Sequence, residues 1–239
     1  MKIAIVDIET TGFLKAAGLI VEVGIASLDL NTGEVEKVYD SAVQEKGFCE
    51  DHRNAWIFKN SDLLFEHVLM APSLEGEIPK IQAALDQFTL GITAYNKRFD
   101  FDYLEDREIR IIRPLPCPMV IATPVVKALY KSNRGGYKWP KVEEAWAHFF
   151  PDVPYEEKHR GYDDAAHEAL IVYELYKMGK FIVPESKDQK IKKAVENLIF
   201  ELTESGIYVL QETESPEGYD KVAKAACELD KLVFDYKAY

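Results

Sequence analysis

The sequence predicts an α/β fold, a five-stranded mixed sheet of three antiparallel strands followed by two parallel ones, flanked by helices. Two observations carry this. Apolar, β-branched runs separated only by short turn segments fill the chain up to Val43, which builds an antiparallel meander. From Gly91 onward, short apolar runs alternate with helical patterns, and strands separated by helices pair in parallel.

Taken in order, Ile3 to Val6 is the first strand and runs into Asp7-Ile8-Glu9-Thr10-Thr11-Gly12. Leu19 to Leu28 is the second, Asn31-Thr32-Gly33 a turn, and Glu34 to Val43 the hairpin partner. Phe48 to Ser61 is poorly patterned. Ser61 or Asp62 caps a short helix through Met70, and Glu77 to Phe88 is a second with Pro79 in its first turn. Gly91 to Tyr95 is a short strand, Lys97 opens a helix, and Arg110 to Leu115 is the fifth strand, stopped by Pro114, Pro116 and Pro118. Helices follow over Met119 to Leu129 and Lys141 to Phe150, and a last core helix carries the stripe Ala165, Ala169, Val172, Tyr173 and Tyr176 before ending at Gly179. Beyond Pro184 the composition shifts. Residues 185–239 read as a small α-β-α appendage, for docking or oligomerisation, to a main domain of residues 1–180.

At 239 residues, 47% apolar and 29% charged, the chain is expected to be globular and soluble. No apolar stretch is long enough to span a bilayer, and Met1-Lys2 leads straight into a strand, so no membrane association and a cytoplasmic location are expected. Cys49, Cys117 and Cys227 form no Cys-x-x-Cys pair, which argues against a zinc or redox motif. The net charge of -12 would repel a long polyanion, so any nucleic-acid contact must be short or cation-assisted. The segment 185–239 holds 8 basic and 12 acidic residues, which excludes an independent DNA-binding module.

Chemistry-bearing residues gather at three places. Side chains two apart on a strand leave the same face, so Asp7 and Glu9 project together from the end of the first strand. At about 4 Å two such charges repel by roughly 4 kcal/mol at an effective dielectric near 20, which calls for a bound cation or a shared proton. Asp100 follows another strand, and His159 and Asp164 stand where the last core helix begins. Five helical residues turn through ~500°, leaving that pair ~140° apart, so both face one site only if His159 lies on the entering loop. Gly161 allows that entry. Carboxylates without clustered Cys or His favour Mg²⁺ or Mn²⁺, and two such ions serve phosphodiester hydrolysis. A neutral histidine can take the proton from the attacking water.

Asp7-x-Glu9-Thr-Thr-Gly, Asn96-x-x-Phe99-Asp100 and His159-x-x-x-x-Asp164-Ala165 resemble the three exonuclease motifs of the DEDDh branch of the DnaQ-like 3′-5′ exonucleases. The resemblance covers residues 1 to 180 and implies an RNase H-like fold. The tyrosine of the sister branch has no counterpart at Arg160. It implies two divalent ions, with Asp7 bridging both, Glu9 and Asp164 completing the nucleophile side, Asp100 supporting the other ion, and His159 as general base. Thr10, Thr11, Gly12 and Phe13 would hold the 3′-terminal nucleotide, with Asn96 and Phe99 as further substrate contacts. The implied reaction releases nucleoside 5′-monophosphates from single-stranded DNA or RNA 3′ ends, DNA favoured, in repair or proofreading. The segment 185–239 would serve a homodimer or a polymerase partner. Cys117-Pro118-Met119, where many relatives carry Asp-Thr, and Lys15 to Gly18 depart from the family pattern without touching a ligand position.

Among the remaining candidates, Asp163 reads as a helix-start charge and His167 as a surface or packing residue. Lys97, Arg98, Lys158 and Arg160, with Lys131, Arg134 and Lys138, are candidate phosphate contacts, and Tyr137 and Trp139 stand as stacking residues or core edge.

Overall fold

The computed structural model describes residues 1–130, 135–155, 157–185, 190–191, 193–198 and 200. The chain divides into two compact units, Met1–Val183 and Pro184–Tyr239. In the second, residues 190–191, 193–198 and 200 are helical, and the strand and second helical stripe expected there lie outside the described residues.

The first unit is built on β1 (Lys2–Thr10), β2 (Ile20–Asp29), β3 (Val35–Ala42) and β4 (Ile92–Thr93), in the order β3-β2-β1-β4. The first three form the expected antiparallel meander, and β4 joins β1 in parallel with Ala4 opposite Ile92 and Ile5 opposite Thr93. The sheet has four strands, not five. The segment expected as the fifth makes a single parallel bridge, Ile92 to Pro114, with Ile92 N–H donating to the Arg113 carbonyl at 2.8 Å and Leu115 N–H to the Ile92 carbonyl at 2.8 Å. Pro114 carries no N–H, and Pro116 and Pro118 follow at once, so the ladder cannot continue.

Among the described residues of the first unit, seven α-helices flank the sheet: α1 (Ile57–Asn60), α2 (Phe65–Leu69), α3 (Leu74–Asp86), α4 (Lys97–Asp106), α5 (Pro118–Val126), α6 (Val142–Phe149) and α7 (Gly161–Lys177). The helix expected from Ser61 or Asp62 through Met70 is shorter, α2 with its N-terminal cap at Leu64, and α1 forms in the poorly patterned segment before Ser61. The Ser61 hydroxyl donates to the Ile57 carbonyl at 2.7 Å and accepts Leu63 N–H at 3.1 Å, which closes the first helix and turns the chain. α3 starts three residues earlier than its pattern suggested because Ser73 caps it, accepting Gly76 N–H at 3.2 Å. Pro79 therefore falls in the second turn rather than the first.

The alternation of β1 divides the core. Ala4, Val6 and Ile8 pack with Leu74, Ile81 and Leu85 of α3 and Phe101, Tyr103 and Leu104 of α4. Ile3 and Ile5 face the other way, with Ala165, Ala169, Val172 and Leu175 of α7. The α7 packing is close at one point: a Cβ placed on Gly24 of β2 would lie 2.0 Å from the carbonyl carbon of Gly161 and 2.0 Å from the nitrogen of Tyr162. Main chain rests on main chain there, so neither strand nor helix start can carry a side chain.

Replacing Gly24 by alanine is therefore expected to destabilise the fold by about 3 kcal/mol or more, since backbone cannot yield as a side chain would. Urea unfolding checks it; a loss below about 1 kcal/mol would mean that α7 is not seated on β2 in this way.

Candidate metal centre

The face of β1 that carries Ile3 and Ile5 ends in Asp7 and Glu9. Their partners across β2 are Gly24 and Glu22. Seating Gly161 on Gly24 thus delivers the first turn of α7 to the strand position next to Asp7. Glu22, fully buried, fixes the approach: it accepts Arg160 Nε at 3.1 and 3.0 Å, Arg160 Nη2 at 2.7 Å and Gly161 N–H at 3.0 Å. A charge buried in this strand is tolerated because a guanidinium and a helix start neutralise it.

Asp164 projects from the first turn and is 2% exposed. Its oxygens accept Arg160 N–H at 2.9 Å and the Tyr155 hydroxyl at 3.0 Å, which fixes the carboxylate plane. His159 lies on the entering loop, as the spacing required, but by its own backbone rather than a glycine turn. Its φ of 53° is left-handed, a conformation histidine adopts more readily than bulkier residues, while Gly161 serves the close approach to β2. Glu9, His159 and Asp164 each offer a ligand atom, and these atoms lie within 4.8 Å of one another.

Asp100 arrives from the other side of the sheet. Because β4 stops at Thr93, the Ile8 N–H on that margin of β1 has no strand to pair with, and it donates to Asp100 Oδ1 at 3.2 Å. That bond holds the first turn of α4 beside Asp7. Asp7, Glu9, Asp100 and Asp164 thus bear on one another through their charges, while the described residues whose ligand atoms lie within 4.8 Å of one another are Glu9, His159 and Asp164, without Asp7 or Asp100.

The electrostatics are those of an uncompensated acid cluster. Burial, then the charges of Glu168, Glu9, Asp100 and Asp164, holds Asp7 well above the usual carboxylate range. Burial, then Asp164 and Glu22, does the same to Glu9. Burial pushes Asp100 up to about 8 against its backbone hydrogen bonds, and burial also raises Asp164. Asp7 Oδ2 is shut off from solvent with no hydrogen-bond partner. The guanidinium of Arg160 is spent on Glu22. An orphaned carboxylate oxygen among hard oxygen donors with one imidazole fits divalent cations of the Mg²⁺ or Mn²⁺ kind.

Two residues that belong here escaped sequence reasoning. Glu168, 5% exposed, lies one turn beyond Asp164 on the buried face of α7, and burial and the charges of Asp100 and Asp164 hold it well above the usual range. A glutamate between Ala165 and Ala169 inside an apolar stripe was the available signal. Glu157 Oε1 stands 3.9 Å from His159 Nδ1, and burial and the Glu143 charge push it up to about 7.

Of the expected substrate contacts, Thr10 and Thr11 are half-buried and Gly12 and Phe13 exposed, Phe13 to 75%. The Tyr103 hydroxyl donates to the Gly12 carbonyl and anchors this turn. Asn96 is exposed, but Phe99 packs against the α4 core and Tyr103. The basic candidates are engaged: Lys97 with the Leu115 carbonyl, Arg98 with Asp102, Lys158 with Asp163, Arg160 with Glu22 and Lys138 with Glu144. Lys131 and Arg134 lie outside the described residues. Tyr137 and Trp139 are exposed rather than core edge. His167 is a packing residue, edge-on to Trp146 and tilted against Tyr155. Among the described residues no helix is long and apolar enough to cross a membrane.

No protein-family profile and no curated protein matches the sequence. Solved structures share the fold. Cell-death related nuclease 4 is 12% identical with a TM-score of 0.54, over 74% of this chain and 64% of that one. A full-length 3′-exonuclease is 15% identical with a TM-score of 0.52, over 76% and 62%. The nuclease domain of 3′hExo, a DEDDh family member bound to rAMP, is 14% identical with a TM-score of 0.56, over 77% of this chain and 96% of that domain. The chain spans less than two thirds of the first two proteins. The likeness is one of fold, a mixed α/β sheet flanked by helices.

The raised carboxyls give a pH signature. A carboxyl whose folded value lies above its unfolded one stabilises the fold fully below about pH 4, and the contribution is lost as pH rises through the folded value. In chelator, the melting temperature of the wild type is expected to fall relative to Asp100→Asn between the unfolded carboxylate range and about 8. Parallel curves for the two proteins would contradict the burial of a charged Asp100.

Proposed function

We propose that this chain is a metal-dependent 3′-5′ exonuclease of the DEDDh type, hydrolysing single-stranded nucleic-acid ends to nucleoside 5′-monophosphates. The observation that carries the reading is the cluster of Glu9, His159 and Asp164, whose ligand atoms lie within 4.8 Å of one another, with the buried acids Asp7 and Asp100 electrostatically coupled to it. The fold shared with solved 3′-exonucleases supports it.

In this reading Asp7, Glu9 and Asp164 hold one side of the cation centre, and Asp7 with Asp100 the other. Divalent ions bound there supply charge neutralisation at the phosphate and a more acidic water. His159, on its loop, accepts the proton from the attacking water, and its partly exposed ring can pass that proton to solvent. In this reading the exposed Phe13, at the turn after β1, stacks on the terminal base. With net charge -12 and the flanking cations engaged, the protein has little to hold a long duplex, which favours recognition of a short single-stranded end.

End-labelled single-stranded DNA and RNA of matched sequence, incubated with Mg²⁺ or with chelator, test this: stepwise release of 5′-monophosphates from the 3′ end is expected only with metal. Asp7→Ala is expected to lower the rate by about a hundredfold or more. Full activity in that variant would remove Asp7 from the chemistry. For His159→Ala, kcat is expected to fall by about 10²–10⁴-fold while the rise in melting temperature on adding Mn²⁺ is kept. Loss of both together would make His159 a ligand instead.

A further inference from the structure

Glu168 is tied to the centre by geometry independent of the sequence motifs. Its Oε2 accepts the N–H of Tyr95 at 3.3 Å. Tyr95 lies just beyond β4, which pairs with β1 through Ala4 and Ile5, so the Glu168 carboxylate is anchored at the end of the strand next to the one that carries Asp7. Along α7 it lies four residues from Asp164, on the same buried face. The Glu168 charge bears on Asp7 ahead of those of Glu9, Asp100 and Asp164. Among the described residues no basic side chain pairs with it, and Asp7 Oδ2 beside it is buried without a partner. A glutamate driven into an apolar stripe against four other acids is poorly explained by packing, because a leucine would fill the place without the desolvation.

We infer that Glu168 is a fifth carboxylate of the cation centre, holding the divalent ion on the Asp7–Asp100 side together with those two residues. The inference rests on the metal-centre reading above. It makes this side of the centre more negative than four carboxylates would, and so suited to retaining its ion between turnovers.

Mn²⁺ binding to the full chain, followed by loss of the free-ion electron paramagnetic resonance signal, separates the two claims. The wild type is expected to take up two ions. Glu168→Gln keeps the size and an acceptor for Tyr95 N–H, and is expected to bind one of the two about tenfold or more weakly. Its metal-free melting temperature is expected to equal or exceed that of the wild type, because like-charge repulsion is relieved. Two ions at wild-type affinity in E168Q, with or without a lowered metal-free melting temperature, would overturn the role of Glu168 and leave the metal centre standing. No Mn²⁺ uptake by the wild type would overturn the metal centre itself. If E168Q fails to fold, Glu168→Asp, which keeps the charge but draws it back by one methylene, is expected to weaken the same ion, and wild-type affinity there would overturn the proposal.

Discussion

The arrangement depends on two glycines in contact. Gly24 and Gly161 bring the backbone of a strand against the first residues of a helix, at a separation where any side chain would collide. The contact sits in register with Asp7, and the buried Glu22 next to it holds Arg160 and Gly161. A helix set down there by a few ångströms more or less would take Asp164 out of reach of Glu9. The repulsion within the acid cluster, roughly 3 kcal/mol for a pair at 4.8 Å and an effective dielectric near 20, pushes against this seating. Close apolar packing along the rest of α7, through Ala165, Ala169, Val172 and Leu175, holds it in place.

Three of the acids are also held by hydrogen bonds that regular structure leaves over. Asp100 uses the Ile8 N–H that a longer β4 would have taken, and Asp164 uses Arg160 N–H at the open start of α7. Glu168 uses the Tyr95 N–H where β4 has already ended. Truncating one strand and beginning one helix at the right residue supplies the donors that orient three carboxylates. The centre is thus a product of where elements stop as much as of where they run.

Much of this was legible in the sequence. The meander, β4, α4 and α7 follow from apolar periodicity, and Asp7, Glu9, Asp100, His159 and Asp164 stand out because acids at strand ends and helix starts serve no packing purpose. The fifth strand was misread because an apolar run signals extended chain but not whether its N–H groups can complete a ladder, and Pro114 removes that option. Gly161 was read as a turn residue. Its actual use, space for a neighbouring main chain, depends on Gly24, which is distant in sequence. Arg160 looked like a phosphate contact because its partner, Glu22, sits inside an otherwise apolar strand whose burial the sequence shows but whose salt bridge it does not. Glu168 was hidden for the same reason, as one charged residue within a helical stripe that otherwise spells a core.

The two margins of the sheet are closed to other chains by different means. Beside β4 the neighbouring segment carries Pro114, Pro116 and Pro118, whose ring nitrogens have nothing to offer an incoming strand. Along β3, Glu36, Lys37 and Asp40 line the outer border, so a second copy would have to bury fixed charges to add on. A sheet with an acidic centre at one strand end is thereby kept from growing into a fibre through its sides, and that protection holds whether or not the cations are bound.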